Sequence, residues 1–336
     1  MGYKVAVAGA TGNVGREMLE ILAQRNFPAD DVVALASSRS IGREVSFGED
    51  DILSVQDLAD YDFSDTDIAL FSPGSKASAE HAPRAAKAGC VVIDNSSYFR
   101  MDPDVPLIVP EVNPEDLDWH TKRNIIANPN CSTIQMVVAL NPIHRAANIQ
   151  RVVVSTYQAV SGAGASAMEE LKQQLRAWAN DEPMKQEVFP TQIAFNLFPH
   201  IDVFQDNGYT KEEMKMVHET RKIMNAPNMQ ISATCVRVPV LRAHSEAVWV
   251  ETEKPLSESE ARELFEKEPG IVVQDERESG GYPTPWHITE TQETYVGRIR
   301  KDISHPNGLT FWVVADQLYK GAALNAIQIA EVLQQG

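Results

Sequence analysis

Tyr3-Lys4-Val5-Ala6-Val7-Ala8-Gly9-Ala10-Thr11-Gly12-Asn13-Val14-Gly15 is the stretch that decides the fold class. Tyr3 to Ala8 is a short apolar run with β-branched residues. Asn13 to Arg25 follows with helical spacing that buries Val14, Met18, Ile21 and Leu22. The turn between them has the spacing Gly-x-x-Gly-x-x-Gly, a relative of Gly-x-Gly-x-x-Gly. Glycines there let the backbone approach a pyrophosphate, whose charge then faces the N–H groups and positive end of the helix. The same spacing also suits a tight strand-to-helix turn with no ligand.

Working outward, strand and helix signals alternate for about 130 residues. Val32 to Ala36 is a second strand and Asp67 to Phe71 a third. Ser72-Pro73-Gly74-Ser75 then opens a helix reaching about Ala88, and Val91 to Asp94 and Leu107 to Val109 are further strands. Apolar runs separated by helices predict a parallel sheet with right-handed crossovers. After Cys131 the pattern changes. Helices are expected over Ile134 to Arg145, Ala165 to Asn180 and Thr210 to Met224, the last with a capping box, Thr210-x-x-Glu213. Strands are expected over Arg151 to Gln158, Ile231 to Val240, Glu246 to Glu253, Ile271 to Gln274 and Leu309 to Ala315, with a surface excursion over Glu182 to Asp206. Gly321 to Leu333 reads as a closing helix. The expectation is an α/β chain. A Rossmann-like dinucleotide-binding domain spans 1–130 and is rejoined by 316–336. An α+β domain with a mostly antiparallel sheet spans 131–315.

Composition narrows the function classes. The chain has 336 residues, 43% hydrophobic and 23% charged, an ordinary globular make-up long enough for two domains. Its 30 basic and 47 acidic residues give a net charge of −17. That disfavours nucleic-acid binding, which rests on Lys and Arg, but permits a local cationic pocket for a small anion. No apolar run approaches the roughly 20 residues that span a bilayer. Met1 leads straight into a strand-like pattern without a signal-peptide layout. Cys90, Cys131 and Cys235 are too few, and odd in number, for a disulfide framework, so a cytoplasmic protein with reduced thiols is expected. No metal site is read.

The second strand ends in Ser37-Ser38-Arg39-Ser40, without the carboxylate that an NAD binder usually presents to the ribose. A guanidinium among hydroxyls suits a 2′-phosphate, which favours NADP(H); an ordinary polar loop is the alternative. Asn128-Pro129-Asn130-Cys131-Ser132-Thr133 precedes an apolar helix. A cysteine at a helix start has its thiolate stabilised by the dipole and by N–H groups that also suit an oxyanion. Cys131 is therefore the candidate nucleophile, while Cys90 and Cys235 lie at or within strands and read as packing residues. His244, expected just past a strand, is a candidate proton carrier.

Three segments together resemble the aspartate-β-semialdehyde dehydrogenase family in its bacterial form: Asn128 to Thr133, Ser155-Thr156-Tyr157-Gln158-Ala159-Val160-Ser161-Gly162-Ala163-Gly164, and Arg237 to His244. The resemblance runs nearly end to end and takes in Asp94 to Arg100, Val109 to Asn113, Ala194 to Asn196 and Lys320 to Ala323. It implies NADPH-dependent reduction of L-aspartyl-4-phosphate to L-aspartate 4-semialdehyde with release of phosphate, in lysine, threonine and methionine biosynthesis, by a homodimer. By position, Cys131 matches the nucleophile, His244 the acid/base, and Gln158 the residue orienting the acyl group. Arg237 matches the partner of the substrate carboxylate, and Glu212 that of its amino group. Arg100, Lys215 and Asn130 match the phosphate site. Gly9, Thr11, Gly12, Asn13, Val14, Ser37, Arg39, Ser40, Gly74, Ser161, Gly162 and Gln317 match cofactor contacts; many relatives carry Asn in place of Gln317. The rival readings are another acyl-phosphate reductase, such as N-acetyl-γ-glutamyl-phosphate reductase, and a non-catalytic NADP(H)-binding regulator.

Overall fold

The computed structural model describes residues 2–49 and 51–334. Met1, where the N-terminal reading starts, and Gln335 and Gly336, at the end of the range given to the first domain, lie outside the described residues. The chain divides into two compact units, Met1–Asn130 with Gly321–Gly336, and Cys131–Lys320.

The first unit opens with β1 (Tyr3–Ala8), α1 (Asn13–Gln24) and β2 (Ala29–Ala36). A hairpin, β3 (Glu44–Phe47) with β4 (Asp51–Ser54), and a short β5 (Gln56–Asp57) come next and were not read from the sequence. Then follow β6 (Ile68–Phe71), α2 (Ser75–Lys87), β7 (Val91–Asp94) and β8 (Ile125–Ala127). One six-stranded sheet results, ordered β5-β2-β1-β6-β7-β8 and parallel throughout. Strand order reverses at β1, so the glycine turn sits at the topological switch point, where such sheets leave a crevice.

The strand expected at Leu107 to Val109 is reduced to a single bridge between Leu107 and Ala127, and β8 forms the sheet edge. Pro106 and Pro110 bracket the segment, and proline has no N–H for a ladder. The Ile108 N–H still donates to the Ala127 carbonyl at 3.1 Å, and side chains satisfy much of the rest. The Val109 N–H donates to Asn113 Oδ1, while Asn113 Nδ2 and Asn325 Nδ2 donate to the Leu107 and Ile108 carbonyls, each at 3.0 Å.

The second unit contains α3 (Cys131–Ala147), β9 (Ile149–Gln158), α4 (Ala165–Ala179), α5 (Lys211–Ile223), β10 (Gln230–Arg237), β11 (His244–Thr252), α6 (Glu258–Lys267), β12 (Ile271–Val273), α7 (Pro285–Ile288), β13 (Thr294–Lys301) and β14 (Gly308–Ala315). Of these α6, α7 and β13 went unread. The sheet order is β10-β9-β11-β14-β13-β12, with three antiparallel ladders in the middle and a parallel one at each edge. α3 is buried almost all round, from Ser132 to Ile143, and packs on β9, β11, β13 and β14 and against α5 and α6. Such a helix belongs in a core, not on a surface. The opposite sheet face carries Val153, Tyr157, Ala247, Trp249 and Trp312, all half-buried or exposed. Residues 182–206 form no helix or strand, as expected, but Phe198 bridges Arg237 and so extends the sheet edge beyond β10. A π-helical turn (Tyr319–Ala323) runs into α8 (Leu324–Leu333), most of which is buried.

Asn325 Nδ2 also donates to Asn128 Oδ1 at 2.6 Å, so this one amide serves two buried acceptors of the first unit. Asn325→Leu strands both. It should lower unfolding stability by about 2–4 kcal/mol, read as a drop in the urea midpoint at unchanged slope; an unmoved midpoint would contradict this account.

Candidate active site

In the first unit, Gly12 caps α1 with no side-chain hydrogen bond, and the first turn carries no acid to compete with an anion. Gly9 has φ +85°, and a Cβ there would meet the Ser72 carbonyl carbon at 2.7 Å. A Cβ on Gly15 would collide with the Gly9 carbonyl. These positions require glycine, for a left-handed turn and for close helix-to-strand packing, as a dinucleotide cradle does. A cavity of about 630 Å³ opens beside the turn, with Gly9, Thr11, Gly12, Ser37, Arg39 and Lys76 in its wall. Asn13, Val14, Ser40 and Gly74 are not among its lining residues. The wall carries two cations, Arg39 and Lys76, beside the glycine turn. Asp57 and Glu80 also line it and were missed in the sequence. Pairing of β5 with β2 sets Asp57 beside Ala36, but its Oδ1 accepts the Ala59 N–H at 3.0 Å. That carboxylate is thus partly engaged within its own turn.

Arg100 and Asn130 also lie in this unit, and both are buried. The Arg100 guanidinium donates from Nε to the Asn128 carbonyl at 2.9 Å and from Nη2 to the Asn95 carbonyl at 2.8 Å, and it also interacts by charge with the buried Asp94 carboxyl.

The second unit holds the thiol. Cys131 is the first residue of α3 and half-buried, so the helix starts three residues earlier than expected and the thiol lies in its first turn. Cys90 and Cys235 are buried and their thiols are pushed up by desolvation, Cys90 to about 12, in keeping with packing roles.

His244 is fully buried and opens β11, rather than trailing β10 as expected. Its Nδ1 faces the Ala159 backbone N–H at 3.1 Å. A backbone N–H only donates, so Nδ1 accepts and the ring proton resides on Nε2. Among the described residues Nε2 has no hydrogen-bond partner. Burial, with a smaller push from Arg237, lowers this histidine to about 3, so the ring is neutral at pH 7.

Arg237 is also buried, against the solvated strand face that its sequence position allowed. Its Nη1 donates to the Ala159 carbonyl at 2.6 Å. Desolvation lowers the guanidinium, while Glu212 and Cys131 pull it back up by charge attraction. Gly162 marks where these groups meet: a Cβ there would lie 3.2 Å from Arg237 Nη1 and 3.3 Å from His244 Nε2.

Gln158 ends β9 and donates from Nε2 to Glu212 Oε1 at 3.2 Å, its Oε1 accepting from Thr156 at 3.0 Å. The other Glu212 oxygen accepts from Lys215 Nζ at 2.8 Å, and Lys215 also donates to Asp202 at 3.0 Å. Burial alone would lower the Lys215 ammonium, but the two carboxylates outweigh it and raise it. Glu212 and Lys215 are therefore a mostly buried pair, not the surface pair that helical spacing alone suggests. Gln317 is buried, its Oε1 accepting the Ala243 N–H at 2.7 Å and its amide donating to Ser161 Oγ. The second unit thus gathers Cys131, Gln158, Gly162, Glu212, Arg237 and His244. The partners missed in the sequence, the Ala159 backbone and Asp202, act through main-chain atoms or through the excursion, where residue type does not reveal the contact.

Two family models match the chain: the semialdehyde dehydrogenase NAD binding domain over residues 4–120, and the semialdehyde dehydrogenase dimerisation domain over residues 140–320. The chain belongs to the semialdehyde dehydrogenase family. Within it, the chain stands with the aspartate-semialdehyde dehydrogenases. It is 57% identical to that of Aquifex aeolicus over 99% of this chain and 98% of the relative, and 54% identical to that of Legionella pneumophila over 98% and 95%. The crystal structure of aspartate semialdehyde dehydrogenase II from Vibrio cholerae, complexed with ASA, superposes with a TM-score of 0.97 at 50% identity, covering 100% of this chain and 99% of that one. Among the described residues no helix is long and apolar enough to cross a membrane.

The buried imidazole has a thermodynamic signature. A histidine near 6.5 when unfolded and about 3 when folded takes up its proton first in the unfolded chain. Its contribution is complete above pH 6.5 and lost as pH falls from 6.5 toward 3. His244→Asn should therefore flatten the fall in denaturant midpoint between pH 7.5 and pH 5; equal slopes in the two proteins would show that His244 titrates normally.

Proposed function

We propose that the chain catalyses the NADPH-dependent reductive dephosphorylation of L-aspartyl-4-phosphate to L-aspartate 4-semialdehyde and phosphate, in lysine, threonine and methionine biosynthesis. The observation that carries this reading is the pair of oppositely charged, buried anchors, Arg237 and Glu212, in the unit that carries the helix-start thiol. Arg237 takes the α-carboxylate of an amino acid through a planar fork, and Glu212, held by Gln158 and Lys215, takes its ammonium. An N-acylated substrate would leave Glu212 facing a neutral amide, which argues against the N-acetylglutamyl alternative.

The Cys131 thiolate attacks the acyl carbon. A C–S bond forms, the bond to the phosphate oxygen breaks, and a thioester remains. The α3 N-terminus and Arg237 favour the thiolate, and the N–H groups of that first turn face the oxyanion. Arg100, Lys215 and Asn130 receive the phosphate, and Gln158 orients the acyl group. NADPH, when bound, supplies the hydride that reduces the acyl carbon. His244 presents its proton at Nε2 to the oxygen of the tetrahedral adduct and manages it as the C–S bond breaks, releasing the aldehyde and the Cys131 sulfur.

The first unit is read as the NADP domain, with Gly9, Thr11 to Val14, Ser37, Arg39, Ser40 and Gly74 toward the cofactor, and Ser161 and Gly162 toward its reactive end. The second unit is read as the substrate and dimerisation domain. The half-exposed aromatic face of its sheet supports a homodimer. Its apolar strip, including Trp249 and the tilted Tyr157–Trp312 pair at 5.4 Å, is typical of obligate interfaces. Free cysteines support a cytoplasmic location.

The test is purified protein with L-aspartate semialdehyde, phosphate and NADP, followed by NADPH absorbance, with N-acetylglutamate semialdehyde as control. Cys131→Ala should reduce turnover by more than about a thousandfold, as loss of a covalent nucleophile does, while dinucleotide binding persists. Turnover near that of the parent would remove Cys131 from the chemistry.

Cofactor choice is tested separately. Arg39→Ala should cost about 1.5–3 kcal/mol of binding to NADP and little to NAD. An unchanged NADP-to-NAD ratio of kcat/KM would assign the preference elsewhere.

A further inference from the structure

We propose that Gln317 is a positioning residue for His244: it holds the residue before the histidine, Ala243, in a left-handed backbone conformation. The inference rests on the proton role given to His244 above and adds a residue to that site. Ala243 has φ +69° and is fully buried. A residue with a Cβ adopts this conformation at a cost and keeps it only where its surroundings impose it.

The surroundings are specific. His244 is paired with Ala315, at the end of the β11–β14 ladder. Beyond that pair backbone pairing stops, but side chains continue the sequence. Gln317 Oε1 accepts the Ala243 N–H at 2.7 Å, and Asp316 Oδ2 accepts from Arg242 Nε at 2.6 Å. The Gln317 amide also reaches Ser161 Oγ. The loop carrying Ser161 is joined to the same strand end by backbone bonds, Val160 N–H to the Val240 carbonyl at 2.9 Å and Ser161 N–H to the Leu241 carbonyl at 3.3 Å. Gln317 thus ties together the loop that supplies Ala159 to Nδ1 and the turn that delivers the imidazole.

The turn at Ala243 sets the direction in which His244 leaves the backbone. With Ala243 relaxed to negative φ, the ring loses its alignment with the Ala159 N–H, and the proton no longer has to sit on Nε2. Gln317 acts on the reaction through this geometry, without touching the reacting atoms.

The experiment compares Gln317→Ala in two backgrounds, the parent and Ala243→Gly. Glycine adopts positive φ without support, so the substitution at Gln317 should matter far less in the second. In the parent, Gln317→Ala should lower kcat on the order of tenfold. In the Ala243→Gly background most of that loss should disappear. Histidine-selective ¹⁵N NMR, with the His244 signals assigned by His244→Asn, gives a readout independent of turnover. The parent should show an unprotonated Nδ1 and a protonated Nε2. Gln317→Ala should show mixed tautomers, and the double variant should return to the parent pattern. Gln317→Glu keeps an acceptor for the Ala243 N–H and should keep the parent tautomer.

A raised KM for NADP with unchanged kcat would make Gln317 a cofactor contact and overturn the proposal. So would an equal loss in both backgrounds, or a tautomer that Gln317→Ala leaves unmoved. If the parent lacked semialdehyde dehydrogenase activity, the proposed function would fail, and the NMR pattern alone would still decide the role of Gln317.

Discussion

The backbone of one residue, Ala159, organises the charged groups of the second unit through its two flanking peptide groups. Its N–H occupies Nδ1 of His244 and its carbonyl receives Nη1 of Arg237. The first bond selects the imidazole tautomer. The second holds the guanidinium by a neutral acceptor, so that its positive charge stays available to an anion. Ala159 itself is fully buried at the end of β9 and has no side chain that could do this work. Two ionisable residues from separate strands are thus held in place by backbone, which cannot rotate away or titrate. Pre-organisation of this kind is what electrostatic catalysis needs, since dipoles already in position require no rearrangement during reaction.

The charges around that backbone are arranged by mutual compensation. The chain as a whole is strongly acidic, yet its second unit buries Arg237 and most of Lys215. Glu212 pairs with Lys215 and attracts Arg237, and Asp202 adds a second counter-charge for Lys215. Burial of isolated charges would be very costly; a shared counter-charge with hydrogen-bonded neighbours makes it tolerable. An acidic surface and buried cations are compatible because the buried charges act over ångströms, while the surface charges are screened by salt.

Much of the architecture is written in local sequence. The glycine turn between β1 and α1, the apolar runs of β6 and β7, and the Thr210 capping box all specify their own conformation. A second capping box, Ser257 with Glu260, begins α6 and was equally available to be read. Leu107 to Val109 misled because an apolar run says nothing about whether its N–H groups have a strand to pair with; two flanking prolines and the Asn113 and Asn325 side chains give the chain another solution. Candidate site residues were legible by resemblance, but their environments were not. Nothing local marks Arg237 as buried, or Gln317 as engaged with Ala243 and Ser161, because each depends on segments distant in sequence. The Asp57 contribution to the dinucleotide cavity was hidden for the same reason, since it enters through a two-residue strand.

β9 and β11 carry their residues on alternate faces. Gln158 and His244 lie on the side of α3, while Tyr157, Ala247 and Trp249 lie on the open side. The two surfaces are therefore interleaved along the chain one residue at a time. No insertion or deletion of a single residue in these strands can alter one face and spare the other, since a shift of one exchanges Tyr157 with Gln158. Substitution, position by position, is the change these strands accept most readily, with each face adapting around a register that neither can move alone.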